Sequence, residues 1–311
     1  MSKLFILGNG FDIVHNLPTR YEHFRKYLLE TYPKAREFGP TYNVSSQMMP
    51  DGDIEVDNNE AAAFIVTAIN EVEGDEWSDL ESNLAHLPFE DYLSDLEDLF
   101  DLDDDKELSR NECRKEDAAN EFYLVMLKFH KFLVDWVRTI DISETCTQEK
   151  FEKLIDIEND YFLTFNYTCV LEDVYGVDYD NICHIHGAEY NCDSEILFGH
   201  GDRRNDFKSK HIVATESLQK IHRILEKDTN KALKQSMYFF DELSSVQEIY
   251  SYGFSFSQVD FIYLQQIFQI CNTEKCTWYL SDYGSDEIKI SYKKTIRESG
   301  FKGSFKEFSI T

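Results

Sequence analysis

The sequence predicts an α/β protein: a mostly parallel, Rossmann-like sheet flanked by helices, with a large helical insertion. Three observations carry this. The apolar run 3–7 passes without a spacer into Gly8-Asn9-Gly10-Phe11-Asp12, and an unbroken run of Leu, Phe and Ile suits a strand buried on both faces. Further β-rich runs each end in small or polar residues, with helical stretches between them, as in a parallel sheet. Finally, 13 glycines and five prolines in 311 residues, 42% of them hydrophobic, fit a helix-rich α/β chain better than an all-β one.

Taken in order, the run 160–165 leads into Asn166-Tyr167-Thr168, and 181–185 into His186-Gly187. The run 195–198 leads into Gly199-His200-Gly201, and 248–252 into Gly253-Phe254-Ser255, followed by an apolar helix over 259–270. A last strand is expected at 275–280. Residues 1–20 and 151–311 are assigned to the nucleotide-binding core, and 21–150 to a helical insertion packed on it as one unit. Within that insertion, 60–72 and 77–87 have helical spacing. The stripe Phe122, Val125, Met126, Phe129, Phe132, Leu133 and Trp136 marks an amphipathic helix over 121–137.

Charge is unevenly spread. Residues 90–107 are heavily acidic around Asp101–Asp105, without the alternating ligands and central glycine of a calcium loop, and read as a solvated face. The insertion 202–245 is basic, with Arg203, Arg204, Lys208, Lys210, Lys220, Arg223, Lys227, Lys231 and Lys234. It is either a place for an anionic ligand or a pair of surface helices whose lysines pair with acids. The net charge of −28 opposes nucleic acid or anionic membrane as a general partner, leaving only the local region 203–234 for such contact. No run of 18 apolar residues suggests a membrane span, and the N-terminus lacks a signal-peptide pattern. Seven scattered cysteines without a Cys-x-x-Cys pair predict reduced thiols in the cytoplasm, and no metal is expected.

The candidate site lies at the strand ends. In an open parallel sheet, ligands bind beyond the carboxyl ends of the strands. There the sequence puts Asn9, Asp12, Asn166, Thr168, His186, Ser255 and Asp260. Gly8 and Gly10 permit a tight turn whose N–H groups can approach a phosphate. His184 and His186 are assigned to opposite sides of the sheet, with at most one facing the crevice. His186 beside Gly187 is taken as a general base, and His184 as a hydrogen-bonded core histidine. Ser78 and Glu81 fit a capping box, or Glu81 is a carboxylate that swings over the crevice.

The ordered set Gly8–Asp12, Leu17-Pro18-Thr19 with Tyr21, Trp77–Glu81, Phe162–Thr168 with Glu172, His184–Gly187, and Tyr252–Ser255 with Asp260 resembles the AbiH family of bacterial phage abortive-infection proteins. The resemblance runs from residue 4 to about residue 270. More distantly, the same order is similar to the sirtuin-like NAD-binding fold. That resemblance implies phosphate and ribose contacts at Gly8, Gly10, Gly253 and Ser255. It implies a role at the nicotinamide ribose for Asn166, and a base at His186. Threonine stands at position 168 where the family has aspartate. Asp12 stands where it has serine and is expected either to face the ribose, stabilising positive charge, or to oppose a phosphate. The four-cysteine zinc module of protein deacylases is absent, so the resemblance implies NAD hydrolysis, with a phage or host activator, rather than deacylation.

Two other functions stay open. The crevice is also suited to sensing NAD or ADP-ribose without turnover. A metal-dependent phosphoesterase or nuclease would use Asp12, Asn166, His186, His200 and Asp202 as ligands. Oligomerisation is open as well.

Overall fold

The computed structural model describes residues 2–37, 44–50, 52, 54–98, 105–190, 196–202 and 208–310. The predicted Asp101–Asp104 part of the acidic run, Cys192, and Arg203 and Arg204 of the basic insertion lie outside them. In chain order the chain forms β1 (Lys3–Leu7), α1 (Asn9–Val14), α2 (Tyr21–Thr31), β2 (Ser46–Met48), β3 (Ile54–Val56), α3 (Asn58–Glu73), α4 (Leu80–Asn83), α5 (Phe89–Asp98) and α6 (Asp105–Val137). There follow α7 (Glu149–Leu154), β4 (Tyr161–Thr164), α8 (Val170–Asp173), β5 (Ile182–His184), α9 (Thr215–Ile224), α10 (Thr229–Gln235) and α11 (Met237–Asp241). The last elements are β6 (Glu248–Tyr252), α12 (Phe261–Ile270), β7 (Thr277–Ser281), α13 (Asp286–Glu298) and β8 (Ser304–Phe308).

The chain divides into two compact units. The first comprises Met1–Thr19, Val137–Leu197 and Asp228–Thr311. Its six strands pair in the order β5-β4-β1-β6-β7-β8, all parallel. Counted along the chain within this sheet, that order is 3-2-1-4-5-6, the order of dinucleotide-binding doubly wound sheets. It reverses between β1 and β6, so β1 is central and covered on both sides. Leu4 and Ile6 enter one core with Ile249, Tyr263, Leu264, Ile267 and Trp278. Phe5 faces the other way, with ring centroids 5.5 Å from Phe151 of α7, 5.2 Å from Phe162 and 5.0 Å from Tyr250. Burial on both faces is the reason β1 reads as continuous apolar sequence.

The second unit comprises Arg20–Trp136 and Phe198–Lys227 and is mainly helical. Asp57 caps α3 by accepting the Glu60 N–H at 3.0 Å. All seven members of the predicted stripe on α6 are buried. Phe24 gathers Trp77, Phe129 and Trp136 at 5.9, 5.8 and 5.3 Å. The predicted helix at 77–87 is shorter and broken: Trp77 has φ 49°, and α4 begins at Leu80 with Asp79, not Ser78, at its cap. The strand expected at 195–198 is absent over its described residues, 196–198. Ile196–Phe198 form no strand, and the chain joins the helical unit there, where His200 makes an isolated parallel bridge to Glu226. Gly199 has φ 141° and packs against the Leu225 backbone, which serves that crossing rather than a strand end in the sheet.

Candidate functional site

Two side-chain clusters form at the carboxyl ends of the sheet in the first unit. The first is centred on Asp12, which α1 sets just past the end of β1. Asp12 is 2% exposed, and both its oxygens accept hydrogen bonds, from Asn166 Nδ2 at 2.9 Å and from Thr168 Oγ1 at 2.9 Å. Asn166 Nδ2 also donates to the Gly8 carbonyl at 3.1 Å. The loop after β4 is thereby tied to the loop after β1. Burial raises the Asp12 carboxyl to about 7, although both hydrogen bonds and nearby His184 favour the ionised form. Asp12 therefore changes charge near neutral pH.

His184 closes this cluster. Its Nδ1 lies 3.0 Å from the Asn166 carbonyl, which can only accept, so Nδ1 carries a proton. Its Nε2 lies 2.7 Å from Glu172 Oε1, with the two side chains 6% and 2% exposed. A proton is shared along that contact, as an imidazolium–carboxylate pair or as an imidazole accepting from a carboxylic acid. His184 is thus the hydrogen-bonded histidine that the sequence suggested. Glu172, which belonged to the family pattern without a role, is its partner.

The second cluster is His186 and Asp260. His186 is 3% exposed, and its Nε2 lies 3.3 Å from Asp260 Oδ1. Its ring packs on Phe165 and Tyr263, with centroids at 5.0 and 5.9 Å. Strict strand alternation would put positions 184 and 186 on one face. They part because β5 ends at His184, and a turn follows in which the Gly187 N–H donates to the His184 carbonyl at 3.0 Å and Gly187 takes φ 83°. His184 therefore points to the α8 side and His186 to the α12 side, where Asp260 occupies the cap position of α12.

The glycines meet one another. Gly8 N–H donates to the Tyr252 carbonyl at 3.0 Å, and Gly10 N–H to the Gly253 carbonyl at 3.2 Å. A β-carbon on Gly8 would lie 2.5 Å from the Gly253 oxygen. These glycines let the loops after β1 and β6 touch at the point where the strand order reverses, and their N–H groups are engaged inside the protein. Asn9 is exposed and holds Thr19, donating to its carbonyl at 3.1 Å and accepting from its hydroxyl at 2.5 Å. Ser255 is exposed on the same β6 loop.

Sequence reasoning missed a further group. Among the described residues, one set of three or more His, Cys, Asp or Glu side chains is spaced to hold a metal ion: Cys169, Asp173 and Glu189. It includes none of the ligands expected for a phosphoesterase. The spacing 169/172/173, one helical turn, was the available signal. In the second unit, Glu81 accepts from Tyr21 at 2.5 Å and from the buried Lys227 ammonium at 2.8 Å. Lys210 and Lys220 pair with Asp91 and Glu216, the ordinary pairing expected of surface helices.

These features define a class: a doubly wound, parallel-sheet protein with buried histidine–carboxylate pairs at its strand ends. The family model for bacteriophage abortive infection AbiH matches residues 4–282, and the chain belongs to that family of phage abortive-infection proteins. No curated protein and no solved structure matches it. Among the described residues, no helix is long and apolar enough to cross a membrane.

Proposed function

We propose that abortive infection by this chain proceeds through cleavage of the N-glycosidic bond of NAD or a related nucleotide. The observation that carries this reading is the buried His186–Asp260 pair at the carboxyl ends of a 3-2-1-4-5-6 sheet. His186, with the Asp260 carboxylate 3.3 Å from its Nε2, serves as base through a neutral ring nitrogen. Water adds to the anomeric carbon of the ribose, the C–N bond breaks with its electron pair leaving on nicotinamide, and His186 takes the proton of the attacking water. Asn166, with its amide nitrogen anchored on Gly8 and Asp12, presents Oδ1 to orient that water or a ribose hydroxyl. Asp12, ionised above its midpoint, stabilises the ribosyl cation. Gly253, Ser255, Asn9, Thr168 and Gly187 line the ligand. A phage or host protein acts as trigger.

The test is release of nicotinamide by the purified chain, alone and with phage lysate as activator. His186→Ala and Asn166→Ala should each abolish release. Unchanged turnover in both variants rejects the assignment.

A second reading is supported by the engaged N–H groups of Gly8 and Gly10 and by threonine at 168. In it the crevice binds NAD or ADP-ribose as a signal without turnover. Calorimetric binding with no product over hours decides for it.

A further inference from the structure

We propose that Cys169, Asp173 and Glu189 hold a divalent transition-metal ion, with Glu172 as the fourth ligand. The three ligand atoms lie within 4.8 Å of one another. Around tetrahedral zinc, with bonds of about 2.0–2.3 Å, ligand atoms stand roughly 3.5 Å apart, so small side-chain rotations close the set. Cys169 precedes α8, and Glu172 and Asp173 follow it by three and four residues, which puts all three on one side of that turn. Glu189 comes from the loop after β5, fixed by its N–H donating to the Tyr167 carbonyl at 2.7 Å.

An independent observation points to a ligand. The Glu172 side chain is 2% exposed, its Oε1 meets His184, and its buried Oε2 has no hydrogen-bond partner. A buried carboxylate oxygen without a donor is costly. Glu172 stands one helical turn from Cys169 and next to Asp173, beside the set rather than within its 4.8 Å limit, so a side-chain rotation is what would bring the free oxygen to the ion. A cation there would replace the thiol proton, satisfy Glu172 Oε2 and offset the mutual repulsion of three carboxylates. One sulfur with carboxylate oxygens suits zinc or a neighbouring first-row ion better than magnesium or calcium. His184 would then hold Glu172 in place as an outer-shell partner.

Full-length protein, stripped with chelator, is titrated with cobalt(II) and then competed with zinc. The expected result is one equivalent bound, with a near-ultraviolet thiolate-to-cobalt band that Cys169→Ser removes and Cys146→Ser keeps. Asp173→Asn should weaken zinc at least tenfold, and because Asp173 is exposed this variant reports even where Cys169→Ser fails to fold. No band in the wild type, or a band and affinity unchanged in Asp173→Asn, overturns the site.

Discussion

A β-carbon built on Gly10 would lie 2.5 Å from the Cα of Gly253. Two loops that are 243 positions apart in the chain therefore touch backbone to backbone, at the place where the sheet reverses its strand order. The contact extends the register of β1 and β6, in which Leu7 stands opposite Tyr252. The glycines thereby fix how closely the two loops approach at the switch point, with their N–H groups engaged inside the protein.

Gly253→Ala should destabilise the protein by more than ~2 kcal/mol. It adds a clash with Gly10 to the cost of an L-residue at φ 64°. Gly176→Ala isolates the second term, since Gly176 has φ 71° and nothing within 4 Å of a new β-carbon. It should cost only ~1 kcal/mol. Urea midpoints of the two variants make the comparison, and equal losses would remove the close-approach argument.

The first strand and its glycine loop were legible because β1 is covered on both faces and its turn demands glycine. β8 was not, because an edge strand exposes much of its side-chain set, and Ser304–Phe308 alternates too weakly to stand out. The hairpin of β2 and β3 is three residues a strand and largely exposed, so it leaves no pattern. Ile196–Phe198 misled because a loop packed on the core selects the same apolar residues as a strand: Leu197 lies against the sheet core and its N–H donates to the His186 carbonyl without forming a strand. Most of the residues expected at strand ends do stand there, yet their pairing was invisible. Nothing in a sequence says that His186 meets Asp260, or that Asp12 accepts from both Asn166 and Thr168.

Asp260→Asn tests the charge beside His186. An amide in place of the carboxylate removes the negative charge beside Nε2 that would stabilise the imidazolium formed when His186 takes its proton. With nicotinamide release as the assay, kcat should fall at least tenfold with KM little changed. His186→Ala should fall further, and the double variant should match His186→Ala alone. Additive losses would mean that Asp260 acts on the substrate and not through the histidine.

Asp12 gives a pH dependence with a definite sign. Its carboxyl is raised from 3.8 to about 7 by burial. The folded state thus holds a proton that the unfolded chain releases. The resulting stabilisation is fully present below about pH 3.8 and is lost as pH rises through 7. Asp12→Asn keeps the shape, accepts from Asn166 and donates to Thr168, and has no such titration. Relative to wild type, it should gain roughly 3 kcal/mol between pH 5 and pH 8.5. Denaturant unfolding at the two pH values measures this, and parallel curves would place the Asp12 midpoint elsewhere.

The His184–Glu172 contact separates structure from metal binding when unfolding is measured in the presence of chelator. Both side chains are nearly fully buried and 2.7 Å apart. Removing one partner leaves the other's polar atom desolvated, so Glu172→Ala should cost ~3 kcal/mol or more. His184→Ala should cost a comparable amount, since it strands Glu172 Oε1 beside an Oε2 that already lacks a donor. The double variant removes both polar groups together, so it should be ~1–3 kcal/mol more stable than the sum of the single losses predicts. Asn166 provides an internal check. Its carbonyl accepts from His184 Nδ1 at 3.0 Å while its side chain holds Asp12. Losing His184 should therefore shift the Asp12 midpoint upward as well, because the imidazole lowers it in the intact protein. A strictly additive double variant, with the Asp12 titration unmoved, would mean that the two clusters around β4 and β5 are energetically separate.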